Sequence, residues 1–279
     1  MLRKFFKYDF KSISKIGIPM LIVIVVATLA GALNAYISWG NIDNMSDNPN
    51  FFNTFAMLGS MLFGYFITIV ISLAATVVQI FTLIDFYRST ASDEAYLTFT
   101  LPASAHDILR SKLINGCLWV FIASIASTAG SLIIAAIENS VLLESFEGIT
   151  LEEIVNLFEI PEGTGVMLLL LIIIMAVAFV NNQLLYYMAL FFGSVIVRKN
   201  KVLASIGCVV GVELVYGVFL TIVISILSAI IGGVSVISGA DIMLTINIIL
   251  GVCIVLLTVL NVLFYYLTIH MMEKKLNLA

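Results

Sequence analysis

Six long apolar runs constrain this chain more than any other feature of its sequence. The only charged side chains within them are Asp85 and Glu213. About 20 consecutive apolar residues suffice for a helix to cross the hydrocarbon core of a bilayer. Since 62% of the 279 residues are hydrophobic and only 11% are charged, a soluble globular fold is excluded. We predict an all-α, polytopic membrane protein, a single transmembrane domain over residues 1–279, with six spans at about 17–39, 55–86, 113–137, 166–197, 202–231 and 242–271.

The distribution of charge sets the predicted orientation. All 13 Lys and Arg lie near the N-terminus, in the central loop (residues 88–112), in the turn at 198–201 or near the C-terminus. The three opposite connections hold ten of the 17 acidic residues and no basic residue. Because basic residues flank membrane helices on the cytosolic side, both termini and the central loop are expected in the cytosol. The segment 138–162, with seven Glu, is then an acidic external loop.

The first 15 residues combine basic and apolar side chains in the pattern of an amphipathic helix. Such a helix lies in the membrane interface, with its apolar face in the bilayer and its basic face toward anionic lipid headgroups. We predict an interfacial helix over residues 1–15. Its expected membrane contacts are Arg3, Lys4, Phe5, Phe6, Lys7, Phe10 and Lys11.

The central loop predicts two helical segments separated by a proline. Ser92, followed by two carboxylates, is typical of a helix N-terminus, where a hydroxyl caps free N–H groups and negative charge is favoured. Pro102 should end that helix, and Ser104 with Asp107 three residues later predicts the start of another. An ordinary interfacial loop would have the same composition. A short helix tied to two membrane helices would, alternatively, receive movement from a partner.

Glu213 is the only carboxylate well inside an apolar run. The tight turn at 198–201 makes the fourth and fifth spans antiparallel, which places Glu213 within about two helical turns of the depth of Asn181, Asn182 and Gln183. We expect a polar contact there, with Glu213 protonated because burial disfavours its charge. Adhesion between helices is one interpretation, and a substrate or proton path is the other.

Small residues also occur inside the spans. Gly207 and Gly211 form a GxxxG pair on the fifth span, which predicts close helix packing. The three cysteines, Cys117, Cys208 and Cys253, all lie in apolar runs and are expected to be free thiols.

Several kinds of chemistry have no motif in this sequence. It contains no GxxxxGK[ST] phosphate loop and no GxGxxG, and its two histidines belong to no HExxH or Cys/His cluster. No basic, aromatic-interleaved stretch suits nucleic acid. We therefore expect no catalytic residue, no metal site, no bound cofactor and no nucleic-acid partner. If ATP drives this protein, a separate subunit hydrolyses it, with ATP and Mg bound there.

A family resemblance appears in the central loop. The stretch Glu94-Ala95-Tyr96-Leu97-Thr98-Phe99-Thr100-Leu101-Pro102, followed by Ile108-Leu109 and Ser111-Lys112, resembles the pattern E-(G/A)-Y-L-x-F-T-L-P…LxxSK. That pattern is found in permease subunits of type-2 family ABC exporters, which have the type V exporter fold, in Gram-positive bacteria. The layout is similar too, with a basic amphipathic helix, six spans and the motif between the second and third.

The resemblance implies a permease in the bacterial cytoplasmic membrane that forms a homodimer or a pseudo-symmetric heterodimer and binds two cytosolic ABC ATPase subunits. Residues 2–15 would be the connecting helix. Many relatives have a re-entrant hairpin between the last two spans, for which residues 232–241 leave little room, so the acidic external segment could close the outer gate instead. The coupling helix seated in the ATPase would consist of Asp93, Glu94, Ala95, Tyr96, Leu97, Thr98, Phe99 and Thr100.

These features favour an exporter that moves an amphipathic or hydrophobic cargo outward by alternating access. A membrane-active peptide, a lipid or a drug fits the scarcity of charge in the spans. Two alternatives remain: a proton-coupled secondary transporter that uses Glu213, and a non-transporting membrane protein whose central loop only docks a partner or serves a sensor.

Overall fold

The structure of the chain is a computed structural model that describes residues 2–47, 51–92, 95, 104–144, 164–196, 200–238 and 242–276. Its long elements are all α-helices, and each has a stretch long and apolar enough to cross a membrane. The predicted all-helical architecture with six membrane-length helices is therefore confirmed. The helices are α1 (Leu2–Asp47), α2 (Phe51–Thr90), α3 (Ala105–Glu144), α4 (Thr164–Ile196), α5 (Lys201–Ser238) and α6 (Ile242–Leu276).

The first helix is longer than its predicted span. It has 46 residues and runs without interruption from the basic N-terminal segment into the apolar run, with Pro19 inside it. The helix predicted over residues 1–15 is thus the first part of α1, with no break before the first span. Its location on the membrane surface stays a prediction.

The second helix extends beyond its apolar run because its polar residues are satisfied within the helix. Ser89 and Thr90 donate their hydroxyls to the carbonyls of Asp85 and Phe86, four residues earlier, at 2.8 and 2.6 Å. With 40 residues, α2 is about 60 Å long, twice the thickness of a bilayer core of about 30 Å. It is therefore longer than a perpendicular crossing of the hydrocarbon region requires.

Ser104 caps the start of α3, as its spacing to Asp107 predicts. The Asp107 N–H donates to the Ser104 hydroxyl at 3.2 Å. Within 93–103 the structure describes only Ala95, which is helical and 3% exposed. The rest of the predicted coupling helix, and residues 145–163 of the predicted acidic loop, lie outside the described residues.

The chain divides into two compact units. The first comprises Met1–Asp9, Leu83–Cys117 and Glu159–Ala279. Its largest buried cluster contains Phe86, Leu109, Tyr187, Phe191 and Met272, so the ends of α2 and α3 share a core with α4 and α6.

The second unit comprises Phe10–Thr82 and Leu118–Phe158. Ile24, Ile71 and Ile134 lie in one of its cores, where α1, α2 and α3 pack together. Gly17 permits the close approach of α1 to α3, because a Cβ there would lie 2.5 Å from the ring of Trp119.

Helices α4 and α5 meet at Gly193 and Ser205. A Cβ on Gly193 would lie 2.5 Å from the Ser205 Cα, and the Ser205 hydroxyl donates to the Leu190 carbonyl at 3.0 Å. By contrast, Gly207 and Gly211 have no atom within 4 Å of an added Cβ. The close packing predicted for this glycine pair is therefore wrong within the described chain, because the pair does not face α4. The three cysteines are free thiols, as predicted.

Gly193→Val should destabilise the protein, whereas Gly207→Val should not. Valine at residue 193 collides with the backbone of α5, and forcing extra carbon atoms into a packed contact costs about 1–3 kcal/mol. Valine at residue 207 meets open space. Thermal unfolding of the two purified variants in detergent tests this difference, and equal losses of thermal stability would contradict the packing described here.

Candidate functional site

Lys112 lies at the centre of a buried ion cluster. Its Nζ is 2.7 Å from Asp9 Oδ1 and 2.5 Å from Asp85 Oδ2. The side chains of Lys112, Asp9 and Asp85 are 8%, 12% and 14% exposed. Because water scarcely reaches these groups, each charge depends on the others for its stabilisation. We call these three residues the Lys112 cluster.

Three helices contribute to the Lys112 cluster at points where polar and apolar sequence meet. Asp9 is in α1, Asp85 lies five residues before the end of α2, and Lys112 is the eighth residue of α3. A charge at such a boundary is too deep for full hydration, so opposite charges from neighbouring helices are its natural partners.

Further hydrogen bonds fasten α1 to α3. The Ser111 hydroxyl donates to Asp9 Oδ2 at 2.9 Å, so both oxygens of this carboxylate are occupied. Asn115 Nδ2 donates to the Phe6 carbonyl at 3.0 Å. The N-terminal part of α1 is thus held by three polar side chains from consecutive turns of α3.

Tyr187 connects the region around Lys112 to α4. Its hydroxyl donates to the Lys112 carbonyl at 3.2 Å and accepts a hydrogen bond from Gln183 at 3.0 Å. Its ring stacks on Phe86, with 3.9 Å between centroids and 7° between planes. Gly116 leaves room for this arrangement, because a side chain there would collide with the Tyr187 hydroxyl.

The Lys112 cluster closes the base of the central loop. Asp85 and Lys112 are 27 positions apart, and the whole predicted partner-binding segment, residues 93–100, lies between them in the sequence. Any displacement of the loop would therefore pull on α1, α2 and α3 together. The cluster contains no nucleophile paired with a base, so its chemistry is electrostatic attachment.

The sequence analysis did not identify the Lys112 cluster, although two signals were present. Asp9 is the only acidic residue among the first 15 residues, which contain five basic residues. Ser111 and Lys112 belong to the motif on which the family resemblance rests. Neither signal reveals which residues pair, since Asp9 and Ser111 are 102 positions apart.

The predicted membrane-surface residues all lie on α1. The structure describes the backbone but not the side chains of Arg3, Lys4 and Phe5. Lys7 and Lys11 are exposed, as a basic outer face requires. Phe6 is half-buried and Phe10 packs on Trp119, with 5.1 Å between ring centroids. Contact with lipid stays a prediction for all seven.

Glu213 is bonded to a tyrosine and not to the predicted amides. The Tyr186 hydroxyl donates to Glu213 Oε1 at 2.8 Å, one helical turn beyond Asn182 on α4. The carboxylate is exposed on α5, within an apolar stretch long enough to cross a membrane.

The three amides do not form one cluster. The Asn181 side-chain oxygen accepts a hydrogen bond from the Tyr216 hydroxyl of α5, and Asn182 is exposed. Gln183 donates to Tyr187 and is buried beside Gly116. Asn181 therefore joins α4 to α5 and Gln183 supports Tyr187 within α4, whereas Glu213 and Asn182 are exposed.

Comparison with known proteins yields no relative. No family model, no curated protein and no solved structure matches the chain. A functional conclusion therefore depends on the residues and contacts described above.

Lys112→Met should strongly destabilise the protein, because it leaves two buried carboxylates without a counter-ion. Removing one partner of a buried ion pair costs about 3–5 kcal/mol. The variant Asp9→Asn/Asp85→Asn/Lys112→Met removes all three charges and should recover most of the loss. Thermal unfolding in detergent measures both effects, with the exposed Lys274→Met as the control. A Lys112→Met variant as stable as this control would contradict the Lys112 cluster.

Proposed function

We propose that the chain is the permease subunit of a bacterial ATP-driven ABC exporter of the type-2 family. The observation that carries the proposal is the sequence Glu94-Ala95-Tyr96-Leu97-Thr98-Phe99-Thr100-Leu101-Pro102, between two membrane-length helices whose ends are joined through Lys112. The subunit resides in the cytoplasmic membrane with both termini in the cytosol, where the basic residues are concentrated.

The Lys112 cluster supports a transmission role for the central loop. In the proposed mechanism, residues 93–100 bind a cytosolic ATPase, and ATP with Mg draws two such ATPase subunits together. The loop moves with the ATPase subunits. Breaking the buried ion pairs of the Lys112 cluster would require about as much free energy as a strongly destabilising mutation costs. The base of the loop therefore moves with the ends of α1, α2 and α3 as one body, and the long α2 carries the motion across the membrane. Alternating access then requires two such bodies, one from each permease of a dimer.

The proposed cargo is amphipathic or hydrophobic. An apolar groove of about 650 Å³ lies along α5 between Gly207 and Phe219 and is closed on its other side by Leu260 and Phe264 of α6. This volume is within the range of small-ligand sites, about 300–1,000 Å³. Tyr216 also lines the groove, and its hydroxyl is bonded to Asn181. A membrane-active peptide, a lipid or an apolar drug matches such a surface, and a strongly charged cargo does not.

A proton-coupled secondary transporter is the second candidate, and the exposed position of Glu213 favours it. An ionisable side chain at membrane depth is costly and commonly serves a proton or ion pathway. The Tyr186 hydroxyl donates a hydrogen bond to this carboxylate at 2.8 Å. This candidate needs no ATPase partner.

Co-purification with the ATPase encoded nearest to the chain tests the exporter proposal. We expect the native permease to retain this ATPase and the variant Glu94→Ala/Tyr96→Ala to lose it. The matched control is Glu152→Ala/Glu153→Ala in the predicted external loop, which should retain the ATPase. Failure of the native chain to bind any ATPase would reject the exporter proposal, and binding by the loop variant would reject the coupling helix.

Proton movement distinguishes the second candidate. If the chain is an exporter permease, liposomes that contain it without an ATPase should hold an imposed pH gradient, and Glu213→Gln should change nothing. Pyranine fluorescence inside the liposomes reports the gradient, and Glu273→Gln is the control outside the apolar stretch. A leak in the native protein and in Glu273→Gln that disappears in Glu213→Gln would establish the proton-coupled alternative.

A further inference from the structure

A second polar cluster lies between the start of α3 and the last third of α6. The Arg110 Nε donates to the Tyr265 hydroxyl at 3.2 Å, and His106 Nδ1 is 3.0 Å from the same oxygen. The His106 and Tyr265 rings are tilted with 5.8 Å between centroids. The Tyr265 hydroxyl accepts a hydrogen bond from Arg110, and it can donate to His106 Nδ1 in the tautomer that carries its hydrogen on Nε2.

Arg110 has no counter-ion in the part of the chain that the structure describes. Its hydrogen bond to Tyr265 uses Nε, so the four N–H donors of the two terminal nitrogens have no partner among the described residues. Arg110 and His106 are exposed, whereas Lys112, two residues further along α3, is buried and neutralised by two carboxylates. The Tyr265 bond fixes the direction of the guanidinium, which then presents a planar fork suited to a phosphate.

An apolar groove lies on α6, the helix that carries Tyr265. It has a volume of about 500 Å³ and follows one face of α6, along Thr258, Val259, Val262, Leu263, Tyr266 and Leu267. The only hydroxyl near its far end, that of Thr258, is turned to the Ile254 carbonyl at 2.8 Å. From Thr258 to Tyr266 the groove is about 12 Å long at 1.5 Å per residue, which corresponds to the upper half of an acyl chain.

We propose that His106, Arg110 and Tyr265 bind the phosphate of an anionic phospholipid, one acyl chain of which lies in the groove of α6. Basic pockets between membrane helices recognise acidic headgroups, and tyrosines are frequent at the level of the headgroups. Arg110, which has no carboxylate partner among the described residues, supplies the charge complementarity. Tyr266 lines the groove at the same depth along α6 as Tyr265 of the cluster, and this apolar surface favours a lipid over a soluble phosphate. This inference does not depend on the proposed transport function.

The test measures lipid retention by the full-length protein. The chain is equilibrated with mixed phosphatidylglycerol and phosphatidylcholine, and the lipids that remain bound are counted by native mass spectrometry. We expect a preference for phosphatidylglycerol that falls about fivefold in Arg110→Gln, since one basic residue near an anionic surface contributes about that factor. Tyr265→Phe should lower it too, because Arg110 loses the bond that directs it. Lys274→Gln removes an equal charge outside the cluster and should retain the preference.

Two further experiments distinguish the binding of the headgroup from the binding of the acyl chain. Val262→Trp fills the groove and should reduce lipid retention, whereas Val255→Trp, also exposed on α6 but outside the groove, should not. An excess of inorganic phosphate should fail to displace the lipid. The proposal is overturned if Arg110→Gln keeps the native preference at unchanged thermal stability, if both tryptophan variants behave alike, or if inorganic phosphate competes.

Discussion

The neutralisation of Lys112 by Asp9 and Asp85 is the interaction on which one unit of this structure depends. A buried ammonium group requires opposite charge within hydrogen-bond distance, and the two carboxylates come from two different helices. Satisfying one side chain therefore fixes three helix ends relative to each other. The remaining polar contacts at this level, from Ser111, Asn115 and Tyr187, follow once α3 has that position.

This constraint attaches the central loop to the packed helices at both ends. The last turns of α2 and the first turns of α3 both contribute a charged residue to one buried cluster. The stacking of Tyr187 on Phe86 extends the attachment to α4. A partner that moves the central loop consequently acts on four helices of the first unit at once, through contacts that are costly to break.

The sequence predicts the number of helices well and their ends less well. Length and apolarity suffice for each span, because a bilayer leaves no alternative to a helix for a run of that kind. The helices end later than the predicted spans because the sequence becomes polar before the helix ends. In α2, Ser89 and Thr90 bond to carbonyls of the preceding turn, so the helix continues through polar residues. The start of α3 at Ser104 was predictable, since a cap depends only on nearby residues.

Contacts between helices were much harder to predict. The spacing of Gly207 and Gly211 indicates a small-residue face but not the direction in which it points, and Gly193, which has no such spacing, makes the close contact instead. Glu213 likewise reaches Tyr186 because of the rotation of α5, which depth alone does not determine. The Lys112 cluster unites residues from three distant segments, and only the packed structure brings them together.

Arg110 and Lys112 show why counting charges is not the same as locating them. Two residues along a helix are separated by about 200° of rotation, so the two side chains point to opposite sides of α3. Lys112 faces inward, where two carboxylates give its surroundings a net negative charge. Arg110 faces outward without a carboxylate partner among the described residues. The positive-inside rule counts both equally, yet only Arg110 can attract an anionic headgroup. The predicted orientation does not change, because the opposite connections contain no basic residue at all. The start of α3 thus carries two cations with different environments. Lys112 attaches α3 to α1 and α2, and Arg110 faces outward, where we propose that it binds an anionic lipid.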